Sequence, residues 1–417
     1  MSALFSDGWK NIVLGDHAEF RNGVNFTAKS AGKVVKVLGV SDFASRSIIS
    51  DFQQMPSVTL ANTPNADDYL RDGDFVFVRS NGSRDLIGRC AMVLPRNEKV
   101  MFSGFTIRMR LVSTEILPRF WLNFVKSELF KKALHERGSG SYITNLSQET
   151  LSKIDVWLPP PEEQQRIVDI LDSWDQAIDQ TERLIGAKQR RFDAARIRLI
   201  ETFQSADKGN NLWAPAEFSE IAEELKLRNT AGHGPDRVMG VIKGEGLVPM
   251  RSHVMAADLR RYLIVPPRAI AYNPMRLNIG SIAASRYDQD VLVSPDYVVF
   301  RARKDRADPD FLRFLIGTKR WRDHLVIVGS GSVRTRIYFD GLAEMVLRVP
   351  DIREQKRIGQ FLTAVEQDLN ATKESASGLR TQKRGLMQKL LTGEWRLDER
   401  FDPEALTPPL LKVGGRS

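Results

Sequence analysis

Cysteine is almost absent from this 417-residue chain. The single Cys90 excludes an intrachain disulfide framework and a cysteine-rich zinc site. The five histidines are scattered, and no His-Glu-x-x-His pair exists to hold a catalytic zinc. No apolar run reaches the roughly 18 residues that a membrane span needs. The opening MSALFSDGWK lacks a basic stretch followed by an apolar run, so no signal peptide is expected. No Gly-Lys-Ser/Thr loop is present to cradle a nucleotide, so an ATP-driven motor is not expected in this chain. The chain reads as cytoplasmic. Hydrophobic residues make up 42% of it, enough for real cores. The length suits roughly two or three domains.

What is present is an internal repeat. Residues 137–179 align with 328–370 at a constant offset of 191, without gaps, and 13 of the 43 positions are identical. The identities include Gly138/Gly329, Thr144/Thr335, Pro159/Pro350, Glu163/Glu354, Gln164/Gln355, Arg166/Arg357 and Leu171/Leu362. A period of 191 is far longer than that of solenoid repeats. It signals two copies of one module, each a variable globular part followed by a more similar part.

The similar part has the period of a long helix. In the first copy the apolar positions are Ile167, Leu171, Trp174, Ile178, Ile185, Phe192, Ala195 and Leu199, with Thr181 and Lys188 filling the seam. In the second they are Ile358, Leu362, Val365, Leu369, Ala376, Leu379, Leu386 and Leu390, with Thr372 and Lys383. Spacings of three and four, sustained over several repeats and uninterrupted by proline, predict a heptad seam. A helix of about 40 residues is about 60 Å long and cannot hide such a seam by itself. The pattern predicts that each helix pairs with its own copy as an intramolecular coiled coil. The alternative is two separate amphipathic helices, each packed on its own domain. Trp174 and Phe192 are assigned to the seam rather than to base stacking.

The variable parts read as mixed α/β domains. Strands are expected at 73–78, 105–111, 268–272 and 297–303, and helices at Pro118–Lys132 and Pro309–Lys319, with proline in the first turn. The net charge is +9, distributed as +4 over 1–158, −2 over 159–205, +5 over 206–348 and +2 over 349–417. The excess lies in the globular parts, which suits a polyanionic partner.

The run Leu158-Pro159-Pro160-Pro161-Glu162-Glu163-Gln164-Gln165-Arg166-Ile167 resembles the conserved-region signature of the specificity (S) subunits of type I restriction-modification systems. Val349-Pro350-Asp351-Ile352-Arg353-Glu354-Gln355-Lys356-Arg357-Ile358 is its second occurrence. Lys383–Gly393 is similar to the distal signature of that family, which the first helix lacks at Lys188–Asp193. The resemblance covers 1–396 and implies an α+β architecture. It divides the chain into target recognition domain 1 (1–158), spacer helix 1 (159–205), target recognition domain 2 (206–348), spacer helix 2 (349–396) and a C-terminal tail (397–417). The helices would form an antiparallel pair. It also implies a non-catalytic subunit that reads a bipartite, asymmetric site in double-stranded DNA. Two methyltransferase subunits and the restriction/translocase subunits would dock on it. Its cofactors would be none; S-adenosylmethionine, ATP and Mg would belong to those partners.

Sequence is read by side chains that reach base edges, whereas phosphate contacts only position a protein. In the first copy the candidates are Arg79, Ser80, Asn81, Ser83 and Arg84, a polar stretch directly after a strand. In the second they are Tyr272, Asn273 and Arg276. The Gly-Ser stretches bearing Ser139, Ser141 and Ser330 suit close backbone approach to a phosphate, or merely chain geometry. Arg334 and Arg336 follow the second stretch. Lys243-Gly244-Glu245-Gly246 reads as a turn.

Two other classes compete. One is a catalytic DNA enzyme. Asn273-Pro274-Met275 lacks the second proline and the aromatic residue that an amino-methyltransferase loop uses to stack a flipped base. Pro295-Asp296 leads into Phe300–Lys304 with no acid before its lysine, an incomplete nuclease metal site. The other class is a coiled-coil scaffold that binds no DNA, for which no salt-dependent DNA affinity is expected.

Overall fold

The computed structural model describes residues 8–25, 33–43, 47–60, 64–137, 145–205, 213–251, 255–329 and 336–397. Its contacts divide the chain into two compact units, Met1–Gln180 with Ala376–Ser417, and Thr181–Ser375. Both divisions fall inside long helices, so each globular domain is grouped with parts of both.

In the first unit, β1 (Lys10–Val13) runs antiparallel to β10 (Asp155–Leu158), the last strand before the first long helix. The main sheet has the order β2 (Ala18–Asn22), β9 (Thr106–Leu111), β6 (Phe75–Val78), β7 (Cys90–Val93), β4 (Ile48–Ile49). A three-stranded sheet sets β3 (Lys33–Leu38) between β5 (Ser57–Leu60) and β8 (Val100–Phe102). All four residues of β6 are buried, which is why 75–78 reads as an unbroken apolar run rather than an alternating one. Its two faces feed two clusters: Phe75 and Phe77 join Phe120, Trp121 and Phe130, whereas Val76 and Val78 join Leu38, Phe52 and Phe102.

The predicted helix 118–132 is in fact two helices. α1 (Pro118–Val125) ends and α2 (Glu128–Arg137) begins across Ser127. The buried Ser127 hydroxyl donates to Phe124 O at 2.6 Å and accepts the Phe130 N–H at 3.3 Å, so it closes one helix and caps the next. The same break divides 309–319 in the second unit. There Thr318, 191 positions on, donates to Leu315 O at 2.9 Å and accepts the Trp321 N–H at 3.3 Å. α3 (Gln148–Ser152) completes the domain and α4 (Pro161–Arg196) is the first long helix.

In the second unit α4 widens into a π turn at Ile197–Glu201, then continues as α5 (Thr202–Ser205). The extra residue in the turn shifts the buried stripe, and Ile200 becomes fully buried. β11 (Ala214–Glu217) pairs with β20 (Val346–Val349), as β1 does with β10. After the short α6 (Phe218–Ile221), the main sheet has the order β12 (Ala222–Leu225), β19 (Val298–Ala302), β16 (Ile270–Tyr272), β17 (Ile282–Ala284). That is the order β2, β9, β6, β7 of the first unit. β13 (Met239–Ile242) and β14 (Gly246–Pro249) form a hairpin whose tip is Lys243–Glu245, and β15 (Leu263–Val265) pairs with β18 (Val291–Val293). α7 (Pro309–Leu315), α8 (Lys319–Gly329) and α9 (Phe339–Ala343) repeat α1 to α3, and α10 (Ile352–Leu391) is the second long helix.

Within each unit the two helices run antiparallel. In the first, Glu163 meets Arg396 at 2.7 Å and Asp175 meets Lys383 at 2.5 Å. In the second, Lys188 reaches Asp368 at 2.6 Å and Thr372 at 2.9 Å, while Phe192 and Leu199 share a cluster with Ile358 and Leu362. None of the seam residues Ile167, Leu171, Trp174, Ile178, Ile185, Phe192, Ile358, Leu362, Val365, Leu369, Leu379, Leu386 or Leu390 is exposed. Lysines are tolerable at two seam positions because each finds an aspartate on the facing helix.

Candidate nucleic-acid interface

The joint between each globular domain and its helix is built twice in the same way. Gln164 is fully buried. Its Oε1 accepts the Leu117 N–H at 2.9 Å, and its Nε2 donates to Glu115 O at 2.7 Å and Pro159 O at 2.9 Å. Gln355 does the same for Asp308 N–H at 3.0 Å, Arg306 O at 3.2 Å and Pro350 O at 2.9 Å. Every partner is shifted by 191. The glutamine of the repeated signature therefore clips the start of the α1 or α7 helix to the start of the long helix. Its neighbour departs from the repeat. Glu163 is buried, accepts from Trp9 Nε1 at 3.1 Å and takes a two-pronged bond from Arg396, at 2.7 and 2.8 Å. Glu354 instead makes a local pair with Arg357 at 2.8 Å.

On this frame each domain carries a polar loop at one end of its main sheet. In the first, the chain leaves β6 at Arg79, whose N–H donates to Phe105 O at 2.8 Å and whose carbonyl accepts the Leu146 N–H at 2.8 Å. Ser80 is half-buried and Ser83 exposed; the Asn81 side chain accepts the Ser83 N–H at 2.8 Å, which closes the turn. Arg84 opens a short 3-10 turn, Arg84–Leu86. In the second domain the equivalent loop follows β16. Asn273 N–H donates to Ser281 O at 3.1 Å, and the Asn273 side chain accepts the Met275 N–H at 3.0 Å. Pro274 O accepts the Ile337 N–H at 3.2 Å, the counterpart of the Arg79–Leu146 bond. The structure thus gathers Arg79–Ser83 beside residues 145–146, and Asn273–Arg276 beside Arg336 and Ile337. Arg276 and Arg336 are exposed. Ser139, Ser141, Ser330 and Arg334 lie outside the described residues.

Tyr272 is corrected. It is fully buried among Phe300, Ile270 and Leu277, and its hydroxyl has no hydrogen-bond partner among the described residues. Burial pushes its phenol well above the ordinary value, with Glu224 and Asp340 adding to the shift. It is a core side chain and does not face a ligand.

Several arginines of the first domain are committed to internal bonds. Arg110 holds Asp74 through two bonds of 2.7 Å, Arg21 pairs with Asp68 at 2.5 Å, and buried Arg108 donates to Asp67 O at 2.8 Å. The bond to Asp74 raises the Arg110 guanidinium, whereas burial and then the charge of Arg110 lower that of Arg108. These three arginines pin residues 67–74 to the sheet. A separate groove of about 1050 Å³ in the first unit is lined by Lys126, Lys131, Arg380, Lys383 and Arg384 with Glu128 and Asp175. Burial lowers the Lys126 ammonium; Asp175 opposes that shift.

Comparison with known proteins decides what this frame is. Residues 6–187 match the model of the type I restriction modification DNA specificity domain. The chain is 21% identical over 353 residues to the putative type I restriction enzyme MjaX specificity subunit of Methanocaldococcus jannaschii, covering 78% of this chain and 79% of that one. It is 22% identical over 332 residues to the type I restriction enzyme EcoKI specificity subunit of Escherichia coli K12, covering 68% and 66%. Residues 6–187 thus carry a type I specificity domain, and the chain as a whole is similar to type I specificity subunits. Solved structures agree on the fold. A chain from a study of complex assembly and conformational transition in a type I R-M system has a TM-score of 0.57 at 16% identity, covering 94% of this chain and 99% of that one. The S subunit from M. genitalium has a TM-score of 0.52 at 12% identity, covering 92% and 96%.

Sequence reasoning assigned Gln164 and Gln355 only to a signature; their identity in both copies was the signal of a shared structural duty. Arg396 lay at the edge of the repeat and carried no signal. Phe105 was read as part of a strand, which starts one residue later.

Proposed function

We propose that this chain is a specificity subunit that reads a bipartite, asymmetric site in double-stranded DNA, one half-site per recognition domain, and performs no catalysis itself. The observation that carries this reading is the repetition of one frame with different chemistry at the same edge. β16 holds the place of β6 in its sheet, and the helices α7 to α9 follow in the order of α1 to α3. Yet the loops they support differ: Arg79-Ser80-Asn81 in one copy, Asn273-Pro274-Met275 in the other. An internal repeat of one domain supplies one reader per half-site, as the two protomers of a dimeric DNA reader do. The helices act as a ruler that fixes the unread spacer. The basic groove supports docking of an acidic segment of a methyltransferase subunit. Methyl transfer from S-adenosylmethionine, to adenine by family likeness, and ATP- and Mg-dependent cleavage belong to the methyltransferase and restriction/translocase partners, in the cytoplasm.

The test is co-expression with the cognate methyltransferase in a host without its own methylation, followed by sequencing of the methylated genome. A split motif with a fixed gap is expected. A folded, bound methyltransferase that leaves no split motif would refute the reading.

A further inference from the structure

We infer that Phe105 is a specificity-determining residue of the first recognition domain, packing its ring on the methyl group of a thymine in the first half-site. This inference rests on the DNA-reading function proposed above and names one contact within it.

Phe105 is 61% exposed, an unusual setting for a large aromatic ring on a fixed turn. The turn is held on all sides. The Thr106 N–H and hydroxyl bond Ser103 O at 2.8 and 2.7 Å, and the Phe105 N–H bonds the Ser103 hydroxyl at 3.3 Å. Gly104 N–H bonds Val24 O at 2.8 Å, and a Cβ at Gly104 would collide with the Asn25 side chain. The Phe105 carbonyl accepts Arg79 N–H at 2.8 Å and Ser80 N–H at 3.4 Å. Ser103 and Thr106 are buried. The ring therefore projects from rigid backbone, directly bonded to the loop that carries the candidate reading residues. An aromatic side chain displayed this way loses little conformational freedom on binding.

The second domain builds the same turn 191 positions on. Tyr297 N–H bonds Ser294 O at 3.0 Å and Asp296 N–H meets the Ser294 hydroxyl at 3.4 Å. Here the displayed residue is Asp296, and it is exposed. One turn thus shows an apolar ring in one domain and a carboxylate in the other. A repeated frame with a changed side chain is what a position that distinguishes two half-sites requires. Chemistry selects the base. A phenyl ring offers no hydrogen bond to a base edge; the apolar feature in the major groove is the thymine C5 methyl. A carboxylate at that place suits the cytosine N4 amino group instead.

The experiment uses the full chain bound to its methyltransferase and the methylated site as found. Each thymine of the first half-site is replaced in turn by deoxyuridine, which deletes only the methyl group. The wild-type complex is expected to lose about fourfold in affinity at one thymine, the worth of one buried methyl. Phe105→Ala should show the same affinity for both bases there, and Phe105→Leu should retain part of the discrimination. Discrimination in the second half-site should not change in either variant. If no thymine shows the loss, or if Phe105→Ala retains it, the assignment fails while the split motif still stands. If no split motif exists, the DNA-reading function itself fails. Circular dichroism and the melting temperature of each variant keep a folding defect separate from a contact defect.

Discussion

Replacing Gln164 or Gln355 should weaken one unit at a time. Each side chain is buried and makes three hydrogen bonds, all to main-chain atoms. Gln164→Ala leaves one N–H and two carbonyls without that partner in a buried joint. A net hydrogen bond contributes about 1 kcal/mol, and a buried group left unpaired costs about 1–3 kcal/mol. Water entering the vacated space restores some of these bonds. The expected loss is therefore about 2–4 kcal/mol, a fall of roughly 10 °C in melting temperature for a unit of this size. Hydrogen exchange locates the effect. Gln164→Ala should speed exchange over 115–118 and leave 306–309 unchanged, and Gln355→Ala should do the reverse. Gln164→Glu adds a pH test. At pH 7 its carboxylate faces the carbonyls of Glu115 and Pro159, so it should be less stable than the alanine variant. Protonation restores a donor, which raises the folded pKa above the unfolded value of about 4.3. The stabilisation is then fully present below the unfolded pKa and is lost as pH rises through the folded one. A loss under about 1 kcal/mol for both alanine variants, or equal exchange in both joints for either one, would refute the reasoning.

Other perturbations have equally definite outcomes. Glu163→Gln removes the charge that holds Arg396; since Arg396 is partly exposed, the loss should be about 1–3 kcal/mol by urea unfolding, with Leu397 exchanging faster. Tyr272→Phe removes a buried hydroxyl with no partner among the described residues and should leave the melting temperature unchanged or raise it by up to about 1 kcal/mol equivalent, with the methylated motif unaltered. Deleting one heptad from both long helices together should shorten the unread gap and leave both half-sites intact, as methylome sequencing will show; altered half-sites would defeat the ruler.

The long-range plan was legible because it is periodic. The offset of 191 and the three-four spacing of apolar residues both survive in sequence, and they place the copies and the helix seam. Strand 75–78 was legible because it is apolar throughout, and 106–111 because apolar and polar residues alternate along it; both are bounded by glycine or polar turns. The helix breaks were not, since a single hydroxyl at Ser127 or Thr318 stops a helix only by where its neighbours hold it. Loop chemistry was least legible. Tyr272 ends a strand buried on both faces, so its position beside Asn273 and Pro274 suggested exposure that the packing of Phe300 removes. Phe105 has the opposite history: read as the first residue of a strand, it stands on a turn whose bonds all go to backbone and short hydroxyls. Arg21, Arg108 and Arg110 counted toward the charge of residues 1–158, yet the aspartates that they bond lie up to 47 residues away in sequence.

The joint made by Gln164 and Gln355 bears on how such a gene can change. Each glutamine recognises only peptide groups, and peptide groups are common to every sequence. Leu117 and Glu115 in one copy are Asp308 and Arg306 in the other, and the same bonds form. A stretch of foreign coding sequence that recombines into the variable part needs no matching side chains at this boundary to be seated. The lineage can therefore acquire new target sequences by exchange of whole segments, while the fitting that receives them stays as it was.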